Sequence, residues 1–291
     1  MKNQKKKITD TKLHIKVYII SVITGFTIPF CVLTILSMKE DSVSTMSLKL
    51  RLIISAAAAI PMALLMFWLT KVTNKQDKIY TAIIEEFKTD SFSDHVLAQM
   101  EEQLQFCINS GGRYDVYLNN YAMFLTDAYT ELREFDRAKY FINCVRYATL
   151  TKELKELNTI TAHQHIVYYH ALRVQLAIHT NEQQYVERLI QDGKPFFDKY
   201  YGKSDFITLI IDFMWFDYYL MNGRFSDCEA ILKKHEENEN IACTLVGRKA
   251  MLLRKQGRSE EAEKAFDEAY SLAKNDYLRR EIAIERSCPS F

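Results

Sequence analysis

Two stretches of this chain echo each other 34 residues apart: residues 256–270 read QGRSEEAEKAFDEAY and residues 222–236 read NGRFSDCEAILKKHE. Gly223 falls on Gly257 and Arg224 on Arg258. A recurrence at a fixed interval constrains the fold more than any single motif does. A unit of this length cannot bury its own apolar face, so each unit has to stack on the next and share one continuous core with it.

The units read as helices. DRAKYFINCVRYATL sets Ala138, Phe141, Ile142 and Val145 on one stripe at helical spacing, and SEEAEKAFDEAYSLAK does the same with Ala262, Ala265, Phe266, Ala269 and Leu272. Ser259 ahead of Glu260 and Glu261 predicts a capped, acidic first turn. Ala262 stands where a full capping box needs Glu or Gln. Long alternating strand runs are missing, and 291 residues hold only 8 Gly and 4 Pro. A doubly wound nucleotide-binding fold or an all-β sandwich needs many more turn glycines, so the pattern predicts an all-α chain with short loops.

The last two units resemble the tetratricopeptide repeat, a helix–turn–helix family with a period of about 34 residues. In 243–276 the matching residues are Ala250, Leu253, Gly257, Ala262, Phe266 and Ala269; in 209–242 they are Trp215, Tyr219, Gly223 and Leu232, with Cys228 where alanine is usual. Upstream the pattern thins. Residues 119–152 offer Leu125, Tyr129 and Phe135 with Arg133 in place of the glycine, and residues near 168–200 offer Leu172, Leu176 and Tyr185 with Gln183 at the turn. A fifth trace, SFSDHVLAQM (91–100), echoes RFSDCEAILK (224–233). Equivalent turn positions then fall at Phe92, Phe135, Tyr185, Phe225 and Ser259, spaced 43, 50, 40 and 34. The resemblance implies an α-solenoid of antiparallel helix pairs over 73–291. Small residues such as Ala138, Ala250 and Ala262 set the helix approach, while Phe141, Tyr219 and Phe266 fill the gaps. The charged stretch 274–291 suits a polar capping helix. The family binds peptides or proteins along a concave face lined by the first helix of each pair. Carried over position by position, that face comprises Asn120, Met123 and Asp127, then His170 and Arg173, then Phe213 and Asp217, then Met251 and Arg254. The aromatic run DFMWFDYYLM (212–221) goes around more than one face of its helix and predicts a well-buried repeat helix, one side of which can line the groove.

Ahead of the repeats lie two uncharged runs, 22 residues at 17–38 and 19 at 52–70. Each is long enough to cross a hydrocarbon core of about 30 Å as a helix. Pro29 and Pro61 are tolerated in membrane helices. Six lysines precede the first run against one acid, Asp10, and Lys71, Lys75 and Lys78 follow the second. That bias predicts a cytoplasmic basic segment at 1–16, a transmembrane hairpin at 17–72 in the cell membrane, and both termini in the cytoplasm. Neither run holds an ionisable side chain, so the hairpin reads as an anchor and not as an ion path.

No stretch carries a specific catalytic or metal constellation. The histidines of TAHQHIVYYH (161–170) lack nearby acids, and NSGGRYD (109–115) lacks the Lys-Ser/Thr of a phosphate loop, so it reads as a loop between helices. The 6 cysteines are widely scattered, which predicts free thiols. The net charge of +1 points to no nucleic acid, and the two spans occupy the place of a DNA-binding helix pair. The expectation is therefore no enzyme and no cofactor. The chain reads as a membrane-anchored scaffold for a protein or peptide partner. The alternative is a regulatory or assembly factor whose spans contact another membrane protein through runs such as SAAAAIPMA (55–63).

Overall fold

The computed structural model describes residues 75–288, and among them every regular element is a helix. The basic segment 1–16 and both uncharged runs lie outside the described residues. Among the described residues no helix is long and apolar enough to cross a membrane. The chain divides into two compact units, Met1–Ala82 and Ile83–Phe291. Residues 75–82 of the first are helical, and the second opens with helix as far as residue 90. There follow α1 (Asp94–Asn109), α2 (Asp115–Glu131), α3 (Phe135–Cys144), α4 (Tyr147–Leu157), α5 (Ile160–His179) and α6 (Gln183–Tyr200). Next come α7 (Asp205–Met221), α8 (Phe225–His235), α9 (Ala242–Lys255), α10 (Ser259–Leu272) and α11 (Asp276–Ser287).

Four hairpins, α2–α3, α5–α6, α7–α8 and α9–α10, close with one hydrogen-bond pattern. Gly257 (φ +78°) donates to the Arg254 carbonyl at 3.0 Å, and Arg258 donates to Leu253 at 2.9 Å. Gly223 (φ +68°) and Arg224 repeat this onto Leu220 and Tyr219. Asn181 (φ 57°) and Glu182 do so onto Ile178 and Ala177, and Arg133 (φ 57°) and Glu134 onto Thr130 and Tyr129. Each is a Schellman closure: one left-handed residue lets two orphan carbonyls at the end of the first helix be satisfied by the chain that starts the second. Arg133 therefore takes the glycine's place and its conformation. In the second hairpin the left-handed residue is Asn181, two residues before the expected Gln183. In the leading trace it is Ser91 (φ 54°), which makes a single bond to Phe87 at 2.7 Å, a simpler closure.

Counting from the left-handed residue reveals a register that residue identity hides. Five positions after it stand Ala138, Val186, Cys228 and Ala262, and seven before it stand Thr126, Val174, Phe216 and Ala250. All eight are 0% exposed. Val96, five after Ser91, is too. The first set lies where the second helix crosses the first, so small side chains there set the approach. Phe266, also 0% exposed, fills the space beside them. Truncating such a phenylalanine costs ~3–5 kcal/mol. The same register explains the wandering interval. Helix α4 is inserted between the first two hairpins, and α5 and α6 run to 20 and 18 residues where α9 and α10 have 14 each.

Side-chain caps mark only some helix starts. Ser93, Thr159, Ser204 and Asn275 accept from the backbone three residues on, at the heads of α1, α5, α7 and α11. The second helix of each hairpin needs no such cap because it leaves the Schellman turn directly. Ser259 accordingly corrects its expected role. It is the first helical residue, Arg258 precedes it, and no side-chain cap bond forms there. The five described cysteines are free, and burial pushes the Cys228 thiol up to about 12 and that of Cys243 to about 11. Cys107, Cys228 and Cys243 are buried packing groups.

Candidate functional site

Side chains from the first helices of the four hairpins and from α11 share one cavity. Glu131 of α2, His179 of α5, Asp217 of α7, Arg248 of α9 and Glu281 and Glu285 of α11 line one cavity of about 30 Å³, room for one or two waters. The stretch 274–291, which suits a polar capping helix, forms α11 with only three residues buried, and it reaches past the last pair to α2. Ile282 packs into the α9–α10 core, while the Tyr277 ring lies 5.2 Å from Phe92 and its hydroxyl donates to the Ala128 carbonyl at 3.4 Å. Arg133, freed by its left-handed backbone to point off the end of α2, forks onto Glu285 at 3.0–3.2 Å. Arg254 then clamps the far end of α11, donating to the Glu285, Arg286 and Cys288 carbonyls at 2.8, 2.9 and 3.1 Å. A cation on the last carbonyls of a helix satisfies them and favours its dipole.

The inner face is acidic and unevenly compensated. Arg248, 8% exposed, bonds Asp217 and lies over the Phe213 ring at 4.4 Å. Gln175 donates to the other Asp217 oxygen at 2.9 Å, and Tyr168 donates to Asp127 at 2.7 Å. Glu131 and Glu281 make no ion pair among the described residues; each lies close enough to raise or be raised by the acids around it. Burial, with Asp217 adding to it, pushes the Asp127 carboxyl up to about 6 against the pull of Tyr168 and Arg248. Burial takes Glu281 up to about 7, Arg248 opposing and Asp127 and Glu285 assisting. Glu131 is raised well above the usual carboxylate range by burial and by Glu281. These carboxylates keep some accessible surface, but what surrounds them is protein; a charge there loses most of its hydration, so the proton is retained.

Of the nine residues expected to line a groove, the structure gathers Asp127, Asp217 and Met251 on this face. Phe213 backs it through Arg248. Met123 lies in the core at 1% exposure, and Asn120 is buried. Arg254 is committed to α11. His170 and Arg173 fall elsewhere, and this is the cost of the two-residue register error at Gln183. His170 stacks on Phe196 of α6 at 4.8 Å, and burial pushes it down to about 4. Arg173 lines a separate surface cleft with Lys139, Glu182 and Arg188. Counted from Asn181, the equivalent inner residues are Tyr168, Ala171 and Gln175, and two of them hold the acids described above.

Arg248 was also missed, though the sequence carries its signal. Nine positions before the left-handed residue stand Phe124, Leu172, Met214 and Arg248, so one cation occupies an otherwise apolar row. Among the described residues no group of three His, Cys, Asp or Glu side chains could hold a metal ion. Comparison of the chain with protein-family models, with curated proteins and with solved structures finds no match.

Proposed function

We propose that this chain is a membrane-anchored interaction scaffold whose tetratricopeptide-like solenoid holds a helical peptide or protein segment against the face made by α2, α5, α7 and α9. The observation that carries this reading is the seat of α11: side chains from all four first helices and from this single short helix line one cavity there. A face that seats one amphipathic helix has the shape and the anchors to seat another. The anchor rests on the two uncharged runs and on the lysine bias that sets both termini in the cytoplasm. On this reading the chain has no catalytic role; it brings its partner to the membrane.

The test has two arms. Membrane fractions washed at high salt and alkaline pH are expected to retain the chain until detergent is added, and release without detergent refutes the anchor. Affinity recovery from detergent-solubilised membranes is then compared between the intact chain and an Asp127→Ala/Gln175→Ala variant. A soluble partner lost at least about tenfold with the variant, an affinity change of ~1.4 kcal/mol, supports the scaffold. A membrane partner held by residues 1–74 alone supports the assembly-factor reading instead.

A further inference from the structure

We propose that α11 is a resident but replaceable occupant of the inner face, and that the segment which displaces it is an amphipathic helix presenting a basic side chain where α11 presents Glu281. The proposal rests on the reading of this face as a helix-binding surface and names the chemistry of its partner.

Three features of α11 point this way. First, little of it is buried. Of its 12 residues only Tyr277, Ile282 and Glu285 are buried, and Ala273 to Asn275 tether it to α10 outside regular helix. Second, its two ends are well matched to their seats: the Tyr277 hydroxyl finds a backbone carbonyl, and Glu285 meets the Arg133 fork. Third, its middle is mismatched. Glu281 and Glu131 of α2 line the same cavity, and the charge of Asp127 of α2 adds to the repulsion on both. The remaining charged or titratable groups around it are His179 of α5, Asp217 of α7, Cys243 and Arg248 of α9, and Tyr277 and Glu285 of α11 itself. Arg248 bonds Asp217 and is also the cation that acts on Glu281 and Glu131, so its charge is shared among these acids. Like charges juxtaposed in a partly desolvated interface weaken it strongly, and opposite charges at the same place select a partner. Protonation of Glu281 and Glu131 relieves the clash in the resting chain, consistent with the raised values of both.

The ligand can therefore be written as a pattern. It is a helix of about three turns with an aromatic residue at the Tyr277 position, a lysine or arginine four residues later, a branched aliphatic next to that, and an acid at the Glu285 position. On the free face such a base would meet Asp127 and Glu131, and the acid would keep Arg133.

Two fluorescent peptides test this on the full chain in detergent, at about pH 8, where the clash is greatest. One carries residues 276–287, the other the same sequence with Glu281→Lys. The chain bears Tyr277→Ala to loosen its own α11, because a tethered helix competes at an effective concentration of about millimolar. The lysine peptide is expected to bind about tenfold or more tightly than the native one, with faster amide exchange in residues 276–287 of the chain. On a Glu131→Lys chain the order should invert, and on a Glu131→Gln chain the preference should shrink, which serves if the reversal variant fails to fold. Equal binding of the two peptides, no binding of either, or binding without deprotection of α11 overturns the proposal. Failure here with a partner still lost from the Asp127→Ala/Gln175→Ala variant leaves the scaffold reading intact. Displacement of α11 with no such partner sinks the scaffold reading alone.

Discussion

Replacing Arg248 with methionine isolates what the buried cation contributes. Methionine keeps the apolar stem over the Phe213 and Phe216 rings, which lie 4.4 and 5.3 Å from the guanidinium carbon, and deletes the charge. Asp217, 4% exposed, then keeps only the Gln175 amide. Two unit charges about 4 Å apart attract by ~4 kcal/mol at an effective dielectric near 20. Breaking one side of a buried pair costs ~3–5 kcal/mol, because the other charge stays behind. A domain has only ~5–15 kcal/mol to lose, so the variant should sit near the edge of folding at pH 7.

The assay is urea denaturation of the full chain followed by Trp215 fluorescence, with Trp68→Phe to leave one reporter. Adding Asp217→Asn to Arg248→Met should restore ~2 kcal/mol or more. Asparagine still accepts from Gln175 and leaves no orphan charge. The deficit of the single variant should also shrink at acid pH, where the stranded carboxylates take up protons. An Arg248→Met chain within ~0.5 kcal/mol of the wild type refutes the reasoning, as does a deficit that Asp217→Asn leaves unchanged.

Three further outcomes follow from particular residues. Asn181→Gly should stabilise the chain by ~0.5–1 kcal/mol in the same denaturation, because asparagine holds φ 57° there, and Gly257→Ala, at φ +78°, should cost about as much. Gly193→Ala should lower the melting temperature by calorimetry in spite of its better helix propensity. The new Cβ would stand 2.6 Å from two Phe197 ring atoms and 3.1 Å from the His170 Cβ, and Phe197 is 3% exposed. Amide exchange of residues 276–287, corrected for its intrinsic pH dependence, should accelerate between about pH 6.5 and pH 8. Raised carboxyls stabilise the folded chain below their ordinary values of 3.8 and 4.5, and that contribution is lost as pH rises through about 6 for Asp127 and about 7 for Glu281. His163, His170 and His179, all lowered, act in the opposite sense, but their contribution is complete about one pH unit above their ordinary 6.5, and beyond that the loss at Glu281 and Glu131 stands alone.

The helical content and the last two hairpins were legible because glycine announces the left-handed residue there. Where Arg133 and Asn181 adopt the same conformation, the local strain is carried by the surrounding packing and leaves no mark in composition. The error at Gln183 shows what that costs. A shift of two residues turns a helix by about 200°, so counting from Asn181 puts Tyr168 and Ala171 at the positions given to His170 and Arg173. The loop at 110–114 needed no register and was read correctly. The seat of α11 was out of reach of any local pattern. Arg133 and Glu285 are 152 residues apart, and each alone looks like an ordinary surface charge.

Register also decides where the acidity of the inner face resides. Six positions before each left-handed residue stand Asp127, Gln175, Asp217 and Met251, a row that runs across all four hairpins. Within it the acids are separated by a neutral donor, and each acid is held by the helix next to it: Asp127 by Tyr168 of α5, Asp217 by Gln175 of α5 and Arg248 of α9. Like-charge repulsion along the row is thus relieved inside the array, without any contribution from α11. Glu131 lies four residues beyond Asp127, one turn along the same face, and makes no ion pair among the described residues. The opposing charge that acts on it is Arg248, which Asp217 already bonds, so a closer partner would come from whatever occupies the seat. The resident helix offers Glu281, which compensates nothing unless a proton is shared. The unmatched charge therefore belongs to the scaffold, and the demand for a base at that point persists whichever helix fills it.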